Sequence, residues 1–141
     1  QAFAVVKANA YGHGVREVVG ALLELADGFA VASVEEAVVV RELHASARIL
    51  LLEGCFEAAE YALAAQLGLD VAVHTAEQAE ALLTADLQQS LRVWLKLDSG
   101  MHRLGFSPAE VRASIDRKIE DIRRRIARQL QVHLTVNAGA Q

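Results

Sequence analysis

The chain has 141 residues, 53% of them apolar and 23% charged, with a net charge of −4. That size suits one domain or a piece of a larger one, with enough apolar residues to build a core. The acidic balance excludes a general pull toward nucleic acid or anionic membrane, and no apolar run approaches the roughly 20 residues of a bilayer span.

The first residues lack the charged-then-apolar layout of a signal peptide. Cys55 is the single cysteine, so an internal disulfide is excluded and a cytoplasmic setting is the plainest reading. The chain begins with Gln1 directly at a strand and stops at "TVNAGAQ", so both ends are expected to be cuts in a longer protein.

In chain order, strands are expected at 2–7 ("AFAVVK"), 28–33 ("GFAVAS"), 48–53 ("RILLLE"), 69–74 ("LDVAVH"), 91–98 ("LRVWLKLD") and 130–136 ("LQVHLTV"). Each is a short continuous apolar run, the pattern of a parallel strand covered on both faces. Helical spacing fills 15–26, 34–45, 56–67, 76–87 and 107–128. Three helix starts carry cap signals: Ser33 with Glu36, Thr75 with Gln78, and Ser107 with Pro108 and Glu110. At Thr75 the hydroxyl is expected to accept from the Gln78 amide while the Gln78 side chain reaches back.

Alternating β and α units predict an α/β fold with a parallel sheet, closed as a barrel or open and doubly wound. A complete eight-stranded barrel needs roughly 200 residues or more. Six strands therefore predict a partial (β/α)8 TIM-type barrel, incomplete at both ends.

Between Arg112 and Arg128 stand seven of the 14 basic residues against three acids, with Ile115, Ile119, Ile122 and Ile126 at helical spacing. A solvated amphipathic helix explains this best. Nucleic-acid binding is the lesser reading, because no aromatic residues interleave with the charges. The five histidines form no ligand-like pair on one helix face, so no metal site is expected. Cys55 is read as a buried structural thiol rather than a residue of the barrel mouth.

Lys7 ends the first strand, where the βα loops of parallel sheets gather catalytic groups. A lysine in a partly dry site is suited to a Schiff base with a carbonyl compound. Taken alone, the residue is better explained by a lysine that snorkels its ammonium to the rim.

The segment "AVVKANAYGHG" closely resembles the pyridoxal-phosphate attachment motif of bacterial alanine racemases, and "VWLKLDSGMHRLGF" (93–106) is similar to a second signature of that family. "DGFAVASVEEAVVVREL" (27–43) and "ILLLEGCFEA" (49–58) fit as well, so the resemblance covers about 1–112. It implies that residues 1–141 are part of the family's N-terminal barrel domain, with 112–141 atypical and the C-terminal β domain absent. Pyridoxal 5'-phosphate is the implied cofactor, and interconversion of L- and D-alanine for cell-wall peptidoglycan the implied reaction. Lys7 would hold the cofactor covalently and act as one of two acid/base groups at the substrate α-carbon. Tyr11 would donate to the cofactor phosphate, beside Gly12 and Gly14, which let the backbone come close. Arg103, presented by a loop that Gly100 and Met101 shape, would face the cofactor's phenolic oxygen. Lys96 matches a position often carbamylated in the family; a plain lysine paired with Asp98 or another carboxylate explains it as well. The family works as a homodimer on a small amino acid, and its second acid/base group is a tyrosine of the partner subunit, to which Tyr61 does not correspond. A related racemase of broader specificity, or a truncated non-catalytic fragment, would carry the same motifs.

Overall fold

The computed structural model describes residues 2–110 and the backbone of 130–137. Six strands form one sheet in the order of the chain: β1 (Phe3–Val5), β2 (Gly28–Val31), β3 (Ile49–Leu51), β4 (Asp70–Val73), β5 (Leu91–Asp98) and β6 (Leu130–Asn137). Every neighbouring pair is parallel, from Phe3 opposite Gly28 to Trp94 opposite His133. A doubly wound sheet reverses its strand order at a switch point. Here the order never reverses, so each crossover advances one strand in the same direction, which is the winding of a barrel sector.

Helices follow the strands: α1 (Lys7–Tyr11), α2 (Val15–Leu22), α3 (Val34–Leu43), α4 (Ala58–Gln66) and α5 (Ala76–Thr84). Elements α2 to α5 and all six strands fall where the hydrophobic spacing places them, with ends shorter by a few residues except on β5, which matches fully, and β6, which runs one residue longer. The short α1 is an addition, described below. The helix expected over 107–128 lies outside the described residues after its first turn, as does the basic run from Arg112 to Arg128.

Alternation along the strands sorts the sheet into two faces. Phe29, Val31, Ile49, Leu51, Val71, Val73 and Val93 pack outward against Val19, Ala37, Val40, Tyr61, Ala64 and Leu82 of the helices. Cys55 belongs to this buried core, and burial pushes its thiol up to about 12. Tyr61 is fully buried and donates its hydroxyl to the carbonyls of Cys55 (3.3 Å) and Gln78 (3.0 Å), a structural role.

The inner face is polar at its base. Asp70, 2% exposed, accepts from Arg48 (2.6 Å), Arg92 (2.9 Å) and the Trp94 indole (2.9 Å). Phe3 meets Trp94 edge-to-face at 5.7 Å, and the Arg48 guanidinium lies over both rings. This layer sits at the N-terminal ends of the strands, the stabilising end of such barrels. No described helix is long and apolar enough to cross a membrane.

Candidate active site

Lys7 does not end β1 but stands after Val6, itself one residue beyond the strand, and begins a turn in which Ala8, Asn9, Ala10 and Tyr11 all take left-handed dihedrals, with φ of 51°, 53°, 53° and 54°. Each such non-glycine residue costs on the order of 1–2 kcal/mol, so the turn exists only because its surroundings impose it. The hold is visible. Ala8 N–H donates to Glu36 Oε1 (2.7 Å), Ala10 N–H to the Val6 carbonyl (2.9 Å), and His13 N–H to the Ala10 carbonyl (3.0 Å). The Asn9 side chain accepts from Val15 N–H (2.9 Å) and so caps α2, a role that its sequence position did not suggest. Gly12 and Gly14 close the turn with φ of 86° and 91°, and Tyr11 stands 61% exposed at its end.

Lys96 lies near the C-terminal end of β5, half-buried, on the same face as Trp94. Burial lowers its pKa, the positive charges of Arg103 and Lys7 lower it further, and the Glu53 carboxylate opposes them. Lys7, Lys96 and Arg103 thus share one electrostatic environment, with the acid that follows β3 as the counter-charge named for Lys96. Of the carboxylates expected to act on Lys96, Asp98 or another, the one that does so is Glu53. Asp98 is occupied elsewhere: it accepts from Gly100 N–H (3.0 Å), His102 N–H (2.9 Å) and the His102 ring (3.0 Å).

These bonds build the loop that carries the exposed Arg103. Phe106 closes the loop by exchanging hydrogen bonds with the Lys96 carbonyl and the Asp98 amide, both at 2.9 Å. Gly105 makes that closure possible: its φ is 123°, and a Cβ there would lie 2.6 Å from the Asp98 nitrogen.

The three caps form, and two reach further than a local box. Glu36 N–H donates to Ser33 Oγ (3.4 Å), while Glu36 Oε2 accepts from Ala32 N–H (2.8 Å). Gln78 N–H donates to Thr75 Oγ1 (3.2 Å), but the Gln78 side chain reaches one residue past the cap to His74 N–H (2.9 Å) and donates to the Glu53 carbonyl (2.7 Å). The strand ends leave these backbone groups without ladder partners, so the helix side chain takes them. His74, buried at the end of β4, also binds the Glu53 carbonyl through Nε2 (3.0 Å). Ser107 and Glu110 pair reciprocally at 2.8 and 3.2 Å. Glu36, Glu53 and Gln78 escaped the sequence reading of the site. Their one signal was an acid or amide at a strand end or three residues past a cap.

The sequence profile of the family described as "Alanine racemase, N-terminal domain" matches residues 1–119. The chain is 74% identical over 113 residues to the biosynthetic alanine racemase of Pseudomonas aeruginosa, covering 80% of this chain and 32% of that protein. It is 70% identical over 107 residues to the alanine racemase of Stutzerimonas stutzeri, covering 76% and 30%. The crystal structure of the Pseudomonas aeruginosa biosynthetic enzyme superposes with a TM-score of 0.85 at 63% identity, covering 99% of this chain and 38% of that one. The chain therefore spans about a third of the length of these curated relatives. With the profile matched over most of its length and its strands wound as a barrel sector, the chain belongs to the alanine racemase N-terminal domain family.

Proposed function

We propose that this chain is part of the N-terminal barrel domain of a pyridoxal-phosphate-dependent racemase that interconverts L- and D-alanine, with residues 112–141 its atypical end. The observation that carries the reading is the convergence of Lys7, Lys96 and Arg103 near the C-terminal strand ends, opposed by Glu53. Such an excess of positive charge fits an anionic phosphate and phenolate. Bound pyridoxal phosphate supplies an aldehyde for a lysine and an electron-withdrawing ring that makes the α-proton of an amino acid acidic.

The chain's own residues do the rest. Lys7 Nζ holds the cofactor and moves the proton on one face of the substrate α-carbon. Tyr11 donates its hydroxyl to the phosphate, and the Arg103 guanidinium holds the phenolic oxygen as an anion. Lys96 acts as a carbamate that orients Arg103. Its lowered pKa supports this, because only a neutral amine captures carbon dioxide, and the change would relieve the crowding of three cations. The second acid/base group is a tyrosine of the partner subunit in a homodimer. We place the enzyme in the cytoplasm, where it supplies D-alanine for peptidoglycan.

The test is covalent. Lysine occurs at positions 7, 96 and 118. The chain is mixed with pyridoxal phosphate and bicarbonate, reduced with borohydride, and its labelled peptides weighed. Label is expected on Lys7 and lost in Lys7→Ala, with Lys96 becoming labelled only when bicarbonate is withdrawn. Label shared evenly among the three lysines, or absent, would sink the reading.

A further inference from the structure

We propose that Glu36 is the positioning residue of the Lys7 turn: its carboxylate, shared between the Ala8 and Ala32 amides, sets the direction in which Lys7 leaves β1. Ala8 N–H belongs to the peptide bond formed by the Lys7 carbonyl, so Glu36 grips the backbone directly beside the lysine. Its two oxygens serve two different strand ends, Oε1 that of β1 at 2.7 Å and Oε2 that of β2 at 2.8 Å. A residue acting only as a local cap would spend its side chain within its own helix turn, as Glu110 does at Ser107.

Residue type follows from what the neighbours offer. Glu36 meets two N–H donors, which needs two acceptors and hence a carboxylate. Gln78, at the equivalent place on α5, meets one N–H and one carbonyl, which needs an amide. Glutamine at position 36 would satisfy one strand end and turn an N–H toward the other. The left-handed run from Ala8 to Tyr11 then loses one of the tethers holding it, and the lysine at its head loses its fixed bearing.

The functional part of this proposal rests on Lys7 being the cofactor lysine, so the test reads the turn and the cofactor separately. Backbone exchange at Ala8 is measured by NMR in the wild-type chain, Glu36→Gln, Glu36→Ala and the control Glu35→Gln. Pyridoxal phosphate labelling and the visible absorption of the bound cofactor are followed in the same proteins. In Glu36→Gln, Ala8 exchange is expected to rise roughly tenfold, as for loss of one charge-assisted hydrogen bond. The ratio of Lys7 label to label on Lys96 and Lys118 is expected to fall by a similar factor with a changed visible band, while Glu35→Gln matches wild type. Unchanged exchange and labelling in a folded Glu36→Gln overturn the proposal. So does an Ala8 amide that exchanges at the unfolded rate in the wild-type chain, whatever the variants do. If the wild-type chain does not select Lys7, the cofactor reading fails and Ala8 exchange alone decides whether Glu36 holds the turn.

Discussion

Asp70 holds together three side chains from different parts of the inner face, and its replacement measures that layer. Asp70→Ala removes the carboxylate that Arg48, Arg92 and the Trp94 indole share. Because the arginine side chains keep 28% and 33% of their surface in water, the cost is set below that of a fully buried pair, at about 2–4 kcal/mol. A urea unfolding midpoint that does not move in Asp70→Ala would refute this account. Residue-scale reading of the sequence found Lys7 because it is a cation at the end of an apolar run, and Lys96 only through its place in the family motif. It did not find Asp70, since an acid at the start of a strand has no local mark to tell a solvated rim from a buried hub. Only the approach of Arg48 and Arg92 from neighbouring strands makes that difference.

Among the elements, the loop after β5 depends on a single carboxylate. The amides of His102 and Gly100, and then the His102 ring, hold the Asp98 carboxyl below its usual range. A depressed folded pKa means that the unfolded chain binds the proton more tightly. The stabilisation is therefore full above the ordinary carboxylate value and is lost as pH falls through the lowered folded value. Protection of the Gly100 and His102 amides from exchange, relative to the intrinsic rate at each pH, should fall in that acid window, and Asp98→Ala should show the low protection at every pH. Element order and most boundaries were legible because hydrophobic period and cap residues are local. The left-handed turn was not. Of Ala8, Asn9, Ala10 and Tyr11 only Asn9 tolerates positive φ readily, and for the run as a whole the conformation is imposed by Glu36, Val6 and the start of α2.

At the scale of the whole molecule, β1 and β6 pair on one side only among the described residues, and the half-exposed Val5 lies on β1. Unpaired strand edges recruit other chains. The 141-residue chain is expected to associate as its concentration rises, read by sedimentation velocity, with Val5→Lys weakening that association. A chain that remains monomeric at high concentration would contradict this.

By itself the sequence determined the number and order of the strands, the helices between them, the buried thiol, and the motif that singles out Lys7. Periodicity, capping and a long ungapped motif are written in neighbouring residues, and neighbouring residues suffice to read them. The partial barrel was expected from strand count and length, and the tertiary structure established it, because strand order is a relation between distant segments. The tertiary structure also decided that the charge of Glu53 rather than Asp98 acts on Lys96, that Asp70 gathers two arginines, and that Glu36 grips the turn behind Lys7. Each of these depends on which strand ends stand side by side, and that proximity arises only when the sheet winds.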